Sequence, residues 1–185
     1  TYTAAVIGCG RMGGFIDNET AGSSIVTLPF SFAAGFEVCD RTRLVAGSDL
    51  RSDVLSAFGK RYGLEKENLH ANYRELIDRE RPDILGVATM PEHRAEIMIY
   101  AAEHGVRAIY AEKTMAASMA EADAVVEAVD DVIRLCRACK DWLDVAPRPQ
   151  TKLKLALGFN DFLLIDILFF NYEQGEDFIR LEILL

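Results

Sequence analysis

Short apolar runs alternate along most of the chain with stretches whose apolar residues recur every three or four positions. "TAAVIG" (3–8) ends an apolar run in glycine and predicts a buried strand feeding a tight turn. "RLVAGSD" (43–49) predicts a second buried strand, and "SDVLSAFGKRYG" (52–63) spaces Val54, Leu55 and Phe58 as a helix stopped by Gly63. A helix over "NYRELIDRE" (72–80) and a strand over "DILGVAT" (83–89) follow. "PEHRAEIMIYAAEHG" (91–105) brings Ala95, Ile97, Met98 and Ala101 to helical spacing, with Gly105 as its stop. "VRAIYA" (106–111) is the next strand, and "SMAEADAVVEAV" (118–129) the next helix, opened by Ser118 and Glu121 as a capping box. Strands apolar on both faces, alternating with helices, predict an α/β fold: a doubly wound parallel sheet of Rossmann type.

Past residue 130 the pattern leaves alternatives open. "VIRLC" (132–136) reads as a sixth strand, or the preceding helix runs on to Lys140 and "WLDVA" (142–146) is the strand. "PRPQT" (147–151) reads as a linker, since its two prolines continue neither element. The chain therefore divides into an α/β domain over 1–146 and a linker with the remnant of a second, C-terminal domain over 147–185. In that remnant "KLKLALGF" and "DFIRLEILL" alternate at period two around the apolar "FLLIDILFF". These are pieces of a sheet-rich unit too short to close on itself, and their apolar surface and open edges predict association with another copy.

Composition narrows the class. The 185 residues are half hydrophobic, enough for one good core and part of a second. A net charge of −9 without any Lys or Arg cluster argues against a nucleic-acid partner. No basic-then-apolar leader opens the sequence, and its apolar stretches are broken by Asp or Asn, which predicts a soluble, cytoplasmic protein without membrane contact. Four scattered cysteines do not form a disulfide framework. "CRAC" (136–139) lacks a second pair of ligands for zinc, and no metal site is expected.

The candidate chemistry begins directly after the first strand. "GCGRMG" sets Gly8, Gly10 and Gly13 in G-x-G-x-x-G spacing, with Cys9, Arg11 and Met12 between them. In a dinucleotide site the first glycine makes the turn, the second admits the pyrophosphate and the third lets the helix pack on the sheet. An acid at the end of the next strand would accept hydrogen bonds from the adenosine ribose, and Asp49, followed by Leu50 and Arg51, stands there. Asp49 lies 36 residues past Gly13, against the roughly 20 usual for the fingerprint, so the connection over 17–42 holds an insertion. That insertion begins polar and turns helix-like at "FSFAAGFEVC" (30–39). Arg11 and Arg51 could meet a 2′-phosphate and leave NADP open, but the Asp49 carboxylate would repel it, and NAD is the expected cofactor. Read plainly, Asp49 is a turn or capping residue.

Together "AAVIGCGRMG", "LVAGSDLR", "YRELIDRERPDILGVAT" and "AEIMIYAAEHGVRAIYAEKTMAAS" resemble the glucose-fructose oxidoreductase and inositol dehydrogenase family of NAD(P)-dependent enzymes. "AEK" (111–113) is similar to that family's Glu-Lys-Pro motif at the end of the fifth strand, with Thr114 in the proline's place. The resemblance implies that Lys113 is the catalytic lysine, beside the nicotinamide and the reacting hydroxyl, and that Glu112 is its cofactor-side neighbour. The chemistry is consistent: alcohol oxidation takes a proton from oxygen as hydride leaves carbon, and a lysine whose pKa is lowered toward neutrality by burial can accept or relay that proton. The plain alternative is a solvated surface pair.

"ATMPEHRAEI" (88–97) departs from the family's Thr-Pro loop: Met90 replaces the first proline, and with "AEI" setting the register Arg94 stands at the histidine position, His93 displaced by one. By the resemblance Ala88, Thr89, Met90, Pro91 and His93 line the cofactor. "FLLIDILFF" resembles the helix that carries the family's acid and histidine, which would make Asp166 a catalytic acid while Leu163 stands where the histidine would be. The function expected is hydride transfer between nicotinamide and a hydroxyl of a sugar, polyol or related small molecule, in a homo-oligomer joined through the C-terminal segment. The alternative is a dinucleotide-binding module, truncated or sensor-like, without a complete active site.

Overall fold

The computed structural model describes residues 1–22, 29–138, 154–158, 164–169 and 180–184, and within them side chains through Val129. Two compact units emerge, Thr1–Met90 and Pro91–Leu185.

In the first unit β1 (Tyr2–Ile7), β2 (Thr42–Ser48), β3 (Leu69–His70) and β4 (Ile84–Val87) run parallel in the order β3-β2-β1-β4. Ala4, Ala5, Val6 and Ile7 are consecutive and all buried, as a strand covered on both faces requires. At the start of β1 the Asp83 carboxylate accepts from Thr3 N and Oγ1 at 2.9 and 3.0 Å, locking the β1 and β4 register. Helices α1 (Asp17–Thr20), α2 (Phe32–Val38), α3 (Ser52–Tyr62) and α4 (Tyr73–Glu80) complete the unit. Leu55 and Phe58 of α3 are buried as their spacing predicts, and Gly63 ends the helix in the left-handed region at φ 65°. Phe58 occupies room left by two glycines, because a Cβ on Gly14 or Gly47 would come within 2.7 Å of its ring. Asn72 caps α4 by accepting from Arg74 N at 2.9 Å.

A π-helical turn (Arg11–Phe15) precedes the insertion over 17–42, whose described residues include α1 and α2, the latter in the segment expected to be helical. The buried Asp17 carboxylate spans it, accepting from Phe30 N at 2.6 Å and Ser31 N at 3.2 Å. Burial pushes the Asp17 pKa up, but the hydrogen bonds from Phe30 and Ser31 outweigh it and hold the carboxyl below its ordinary value.

The second unit holds α5 (Pro91–Glu103), β5 (Ala108–Glu112), α6 (Met119–Ala138), β6 (Lys154–Gly158), β7 (Leu164–Phe169) and β8 (Arg180–Leu184). β5 and β6 pair in parallel, while β6-β7 and β7-β8 pair antiparallel. Ala95, Ile97, Met98 and Ala101 are buried on α5, and α5 packs against α6. Ser118 Oγ accepts from Glu121 N at 3.2 Å, and the Glu121 carboxylate accepts from Ala117 N at 2.9 Å, so the expected box closes one residue early on its return bond. Residues 132–136 continue α6, which is described through Ala138, so they are not a sixth strand; Lys140 and the strand read over 142–146 lie outside the described residues. Residues 142–151, and with them the expected linker and the division at 146/147, lie outside the described residues. "FLLIDILFF" forms β7 over Leu164–Phe169, as the sheet-rich reading of that segment expects, instead of the helix of the resemblance.

Candidate functional site

The three glycines of the turn do different jobs. Gly8 sits at φ 87°, and a Cβ there would lie 2.7 Å from the Ala88 carbonyl, so only glycine fits. Gly8 N donates to Ser48 O at 2.8 Å and Ala88 N to Ile7 O at 2.8 Å, tying the turn to the ends of β2 and β4. A Cβ on Gly13 would come 1.9 Å from Gly8 O, so the returning helical turn presses directly on the strand end. At Gly10 a Cβ meets nothing within 4 Å, and the space beside that peptide is open. Gly14, which the fingerprint does not single out, is a fourth packing glycine: Tyr62 donates its hydroxyl to Gly14 O at 2.6 Å.

Cys9 faces inward. Its Sγ lies 3.4 Å from Ser48 O, and burial first, then the Asp49 charge, pushes the thiol pKa well up. Only its backbone can serve a ligand. Arg11 is exposed and paired with Glu19, Nη2 to Oε2 at 2.8 Å.

Asp49 follows β2 as expected, its N–H donating to His70 O at 3.2 Å and its Oδ1 accepting from Arg51 N at 2.9 Å. The carboxylate therefore also organises the start of α3, and a carboxylate oxygen can accept more than one hydrogen bond. Leu50 is 87% exposed beside it. The Arg51 guanidinium is drawn to Asp53, Nη2 to Oδ2 at 2.7 Å. Both arginines that could welcome a 2′-phosphate are thus paired with a neighbouring acid. Ala88 and Thr89 continue β4 past its end, with Met90 67% exposed. Because β1, β2 and β4 are parallel, with Ile7 level with both Ser48 and Val87, the glycine turn, Asp49 and residues 88–90 share one carboxyl-end edge. Ligands of open α/β sheets bind at such an edge.

In the second unit Pro91 opens α5 and His93 is exposed on its first turn. Glu112 ends β5, half-buried, and Lys113 follows it exposed, not buried as its expected chemistry asked, because the strand has ended and its side chain leaves the packed layer; the Lys113–Thr114 peptide is cis. Arg94, only 2% exposed, reaches from α5 to this strand end: its Nη1 donates to Glu112 O at 2.6 Å and to Thr114 O. Burial lowers the Arg94 pKa against the pull of Glu112 and Glu92. Burial likewise raises that of Glu112 against Arg94 and Lys113. The sequence held a signal for Arg94, a cation among the apolar positions of α5, but spacing says nothing of its acceptors. Asp166 lies in β7, opposite Glu182 of β8.

The turn suits a dinucleotide on a structural ground, since the one glycine with open space is the one expected to face the pyrophosphate. A family model described as "Oxidoreductase family, NAD-binding Rossmann fold" matches residues 2–137. The chain belongs to this oxidoreductase family.

Its Rossmann-type fold is shared with several solved structures. One is an oxidoreductase from Agrobacterium radiobacter in complex with NAD+, L-tartaric acid and magnesium: 18% identity, TM-score 0.60, covering 84% of this chain and 34% of that one. The WlbA dehydrogenase from Bordetella pertussis, in complex with NADH and UDP-GlcNAcA, has 19% identity and TM-score 0.59 over 85% of this chain and 37% of its own. The scyllo-inositol dehydrogenase from Lactobacillus casei, with bound NAD(H) and scyllo-inositol, has 14% identity and TM-score 0.58 over 85% and 36%. The chain spans about a third of the length of these structures. No curated protein matches it by sequence. Membership in the family makes NAD the cofactor of the site. Among the described residues no helix is long and apolar enough to cross a membrane, and no group of three or more His, Cys, Asp or Glu could hold a metal ion.

Proposed function

We propose that the protein is an NAD-dependent oxidoreductase acting on a hydroxyl of a sugar, polyol or related small molecule. The observation that carries this is Lys113, exposed at the carboxyl end of strand β5 in a chain of this family. The bound nicotinamide supplies the hydride acceptor. The chain's own groups divide the remaining work. The peptides around Gly10 receive the pyrophosphate, and Asp49 accepts from the adenosine ribose hydroxyls. The Lys113 amine accepts the proton of the substrate hydroxyl as it is oxidised. Glu112, Ala88, Thr89, Met90, Pro91 and His93 serve as cofactor-side neighbours. The sugar and inositol ligands of two of the related structures support this substrate class.

The resemblance adds Asp166 as an acid acting with the lysine; its place on β7 leaves Lys113 as the residue on which the reading rests. The apolar, strand-forming segment around β6, β7 and β8 supports a homo-oligomer joined there, and the scattered cysteines suit the reducing cytoplasm. The test is reduction of NAD by the purified protein over a panel of sugars, polyols and hydroxy acids. Substrate-dependent NADH formation supports the reading; NAD binding without turnover on any member of the panel sinks it.

A further inference from the structure

We propose that Arg94 is a positioning residue for Lys113, acting through the two peptides that flank the lysine. The inference rests on the oxidoreductase reading above. A guanidinium withdrawn from water is costly unless its donors find acceptors. Arg94 is 2% exposed, and its Nη1 finds two: the carbonyl of the residue before Lys113, at 2.6 Å, and that of the residue after it. The Lys113 side chain is exposed and reaches outward from this backbone. Where its amine can go is therefore set by where its Cα is held, and Arg94 ties both sides of that Cα to α5. An arginine suits the task because its planar fork keeps a fixed donor direction, whereas a lysine ammonium is a compact charge on a flexible stem. The helix supplies rigidity: Ala95, Ile97 and Met98 beside Arg94 are all buried.

The experiment compares wild type with Arg94→Met and Arg94→Lys by hydrogen exchange, NAD calorimetry and steady-state kinetics. In Arg94→Met the amides of Glu112 to Met115 should exchange roughly tenfold faster while amides elsewhere keep their protection. Its kcat should fall by about 10²-fold, the scale of a misplaced reacting group, while the Kd for NAD stays within about twofold. Arg94→Lys should recover part of both losses. Unchanged exchange at Glu112 to Met115 with unchanged kcat would overturn the proposal. So would exchange accelerated evenly through the protein, which is the mark of a general packing role. Should Arg94→Met not fold, Arg94→Lys is read against the same outcomes. A wild type without turnover on any substrate, whose Glu112 to Met115 amides still depend on Arg94, would remove the oxidoreductase reading and leave the positioning of Lys113 standing.

Discussion

A Cβ on Gly13 would stand 1.9 Å from the carbonyl oxygen of Gly8, whereas one on Gly10 would touch nothing within 4 Å. Packing thus holds Gly13 to glycine and leaves Gly10 open, the position where the proposed pyrophosphate contact falls. Gly10→Ala should keep the fold, since its methyl meets no atom within 4 Å, at the cost of a backbone (φ −74°, ψ −144°) that alanine rarely adopts, yet lose NAD affinity by about tenfold or more as the methyl takes the pyrophosphate's place. Gly13→Ala should unfold or lose soluble expression. Circular dichroism with NAD calorimetry separates the two; equal behaviour would contradict the division of labour.

Asp49 supports NAD over NADP, and Arg51 and Arg11 are each engaged with a nearby acid. Asp49→Ala should weaken NAD by about tenfold or more, the worth of a hydrogen bond to a charged group, and NADP much less. Asp53→Ala, which frees Arg51 from its partner, should improve NADP binding while leaving NAD nearly unchanged. Fluorescence titration with both cofactors gives the ratio.

Lys113→Ala should bind NAD as the wild type does and lose turnover by about 10²-fold or more, as expected for a positioned acid-base group. The comparison is made at saturating cofactor, so that kcat alone is read. Equal turnover would return Lys113 to an ordinary surface charge.

Asp17 ties the insertion together and predicts an acid dependence. Its folded pKa lies below the ordinary 3.8, so its contribution is present above that pH and is lost as pH falls through the folded value. Asp17→Ala should lower stability by about 1.5 to 3 kcal/mol near neutrality, the range for hydrogen bonds to a charged group. The difference from wild type should shrink in acid. Urea unfolding at neutral pH and below the ordinary pKa checks both the size and the sign.

The buried thiol of Cys9 should resist alkylation in the folded protein, because burial and the Asp49 charge both disfavour its thiolate. Cys39, only partly buried, should react first of the two. Peptide mapping after brief exposure to a thiol reagent distinguishes them, and modification of Cys9 at the rate of Cys39 would contradict its inward packing.

What the sequence determined by itself was whatever periodicity and local chemistry encode. Apolar runs marked β1, β2, β4 and β5 because strands covered on both faces need nothing but apolar residues. Helical spacing marked α3, α4 and α5, and Ser118 with Glu121 marked the start of α6. The glycine turn, Asp49 and Lys113 were legible because each follows directly on such a strand. Local pattern could not show that Gly14 and Gly47 make room for Phe58, or that Asp17 reaches residues 30 and 31, since these contacts join positions far apart in the chain. β3, two residues long, carries no period at all. The sheet-rich reading took in "FLLIDILFF", but spacing could not show that it pairs antiparallel with both β6 and β8, because strand partners lie apart in the sequence. Arg94 is the sharpest case: in the sequence it is a charge misplaced on an apolar helix face. Tertiary structure alone supplies its acceptors, because a buried guanidinium is tolerable only where distant backbone carbonyls have been brought to meet it.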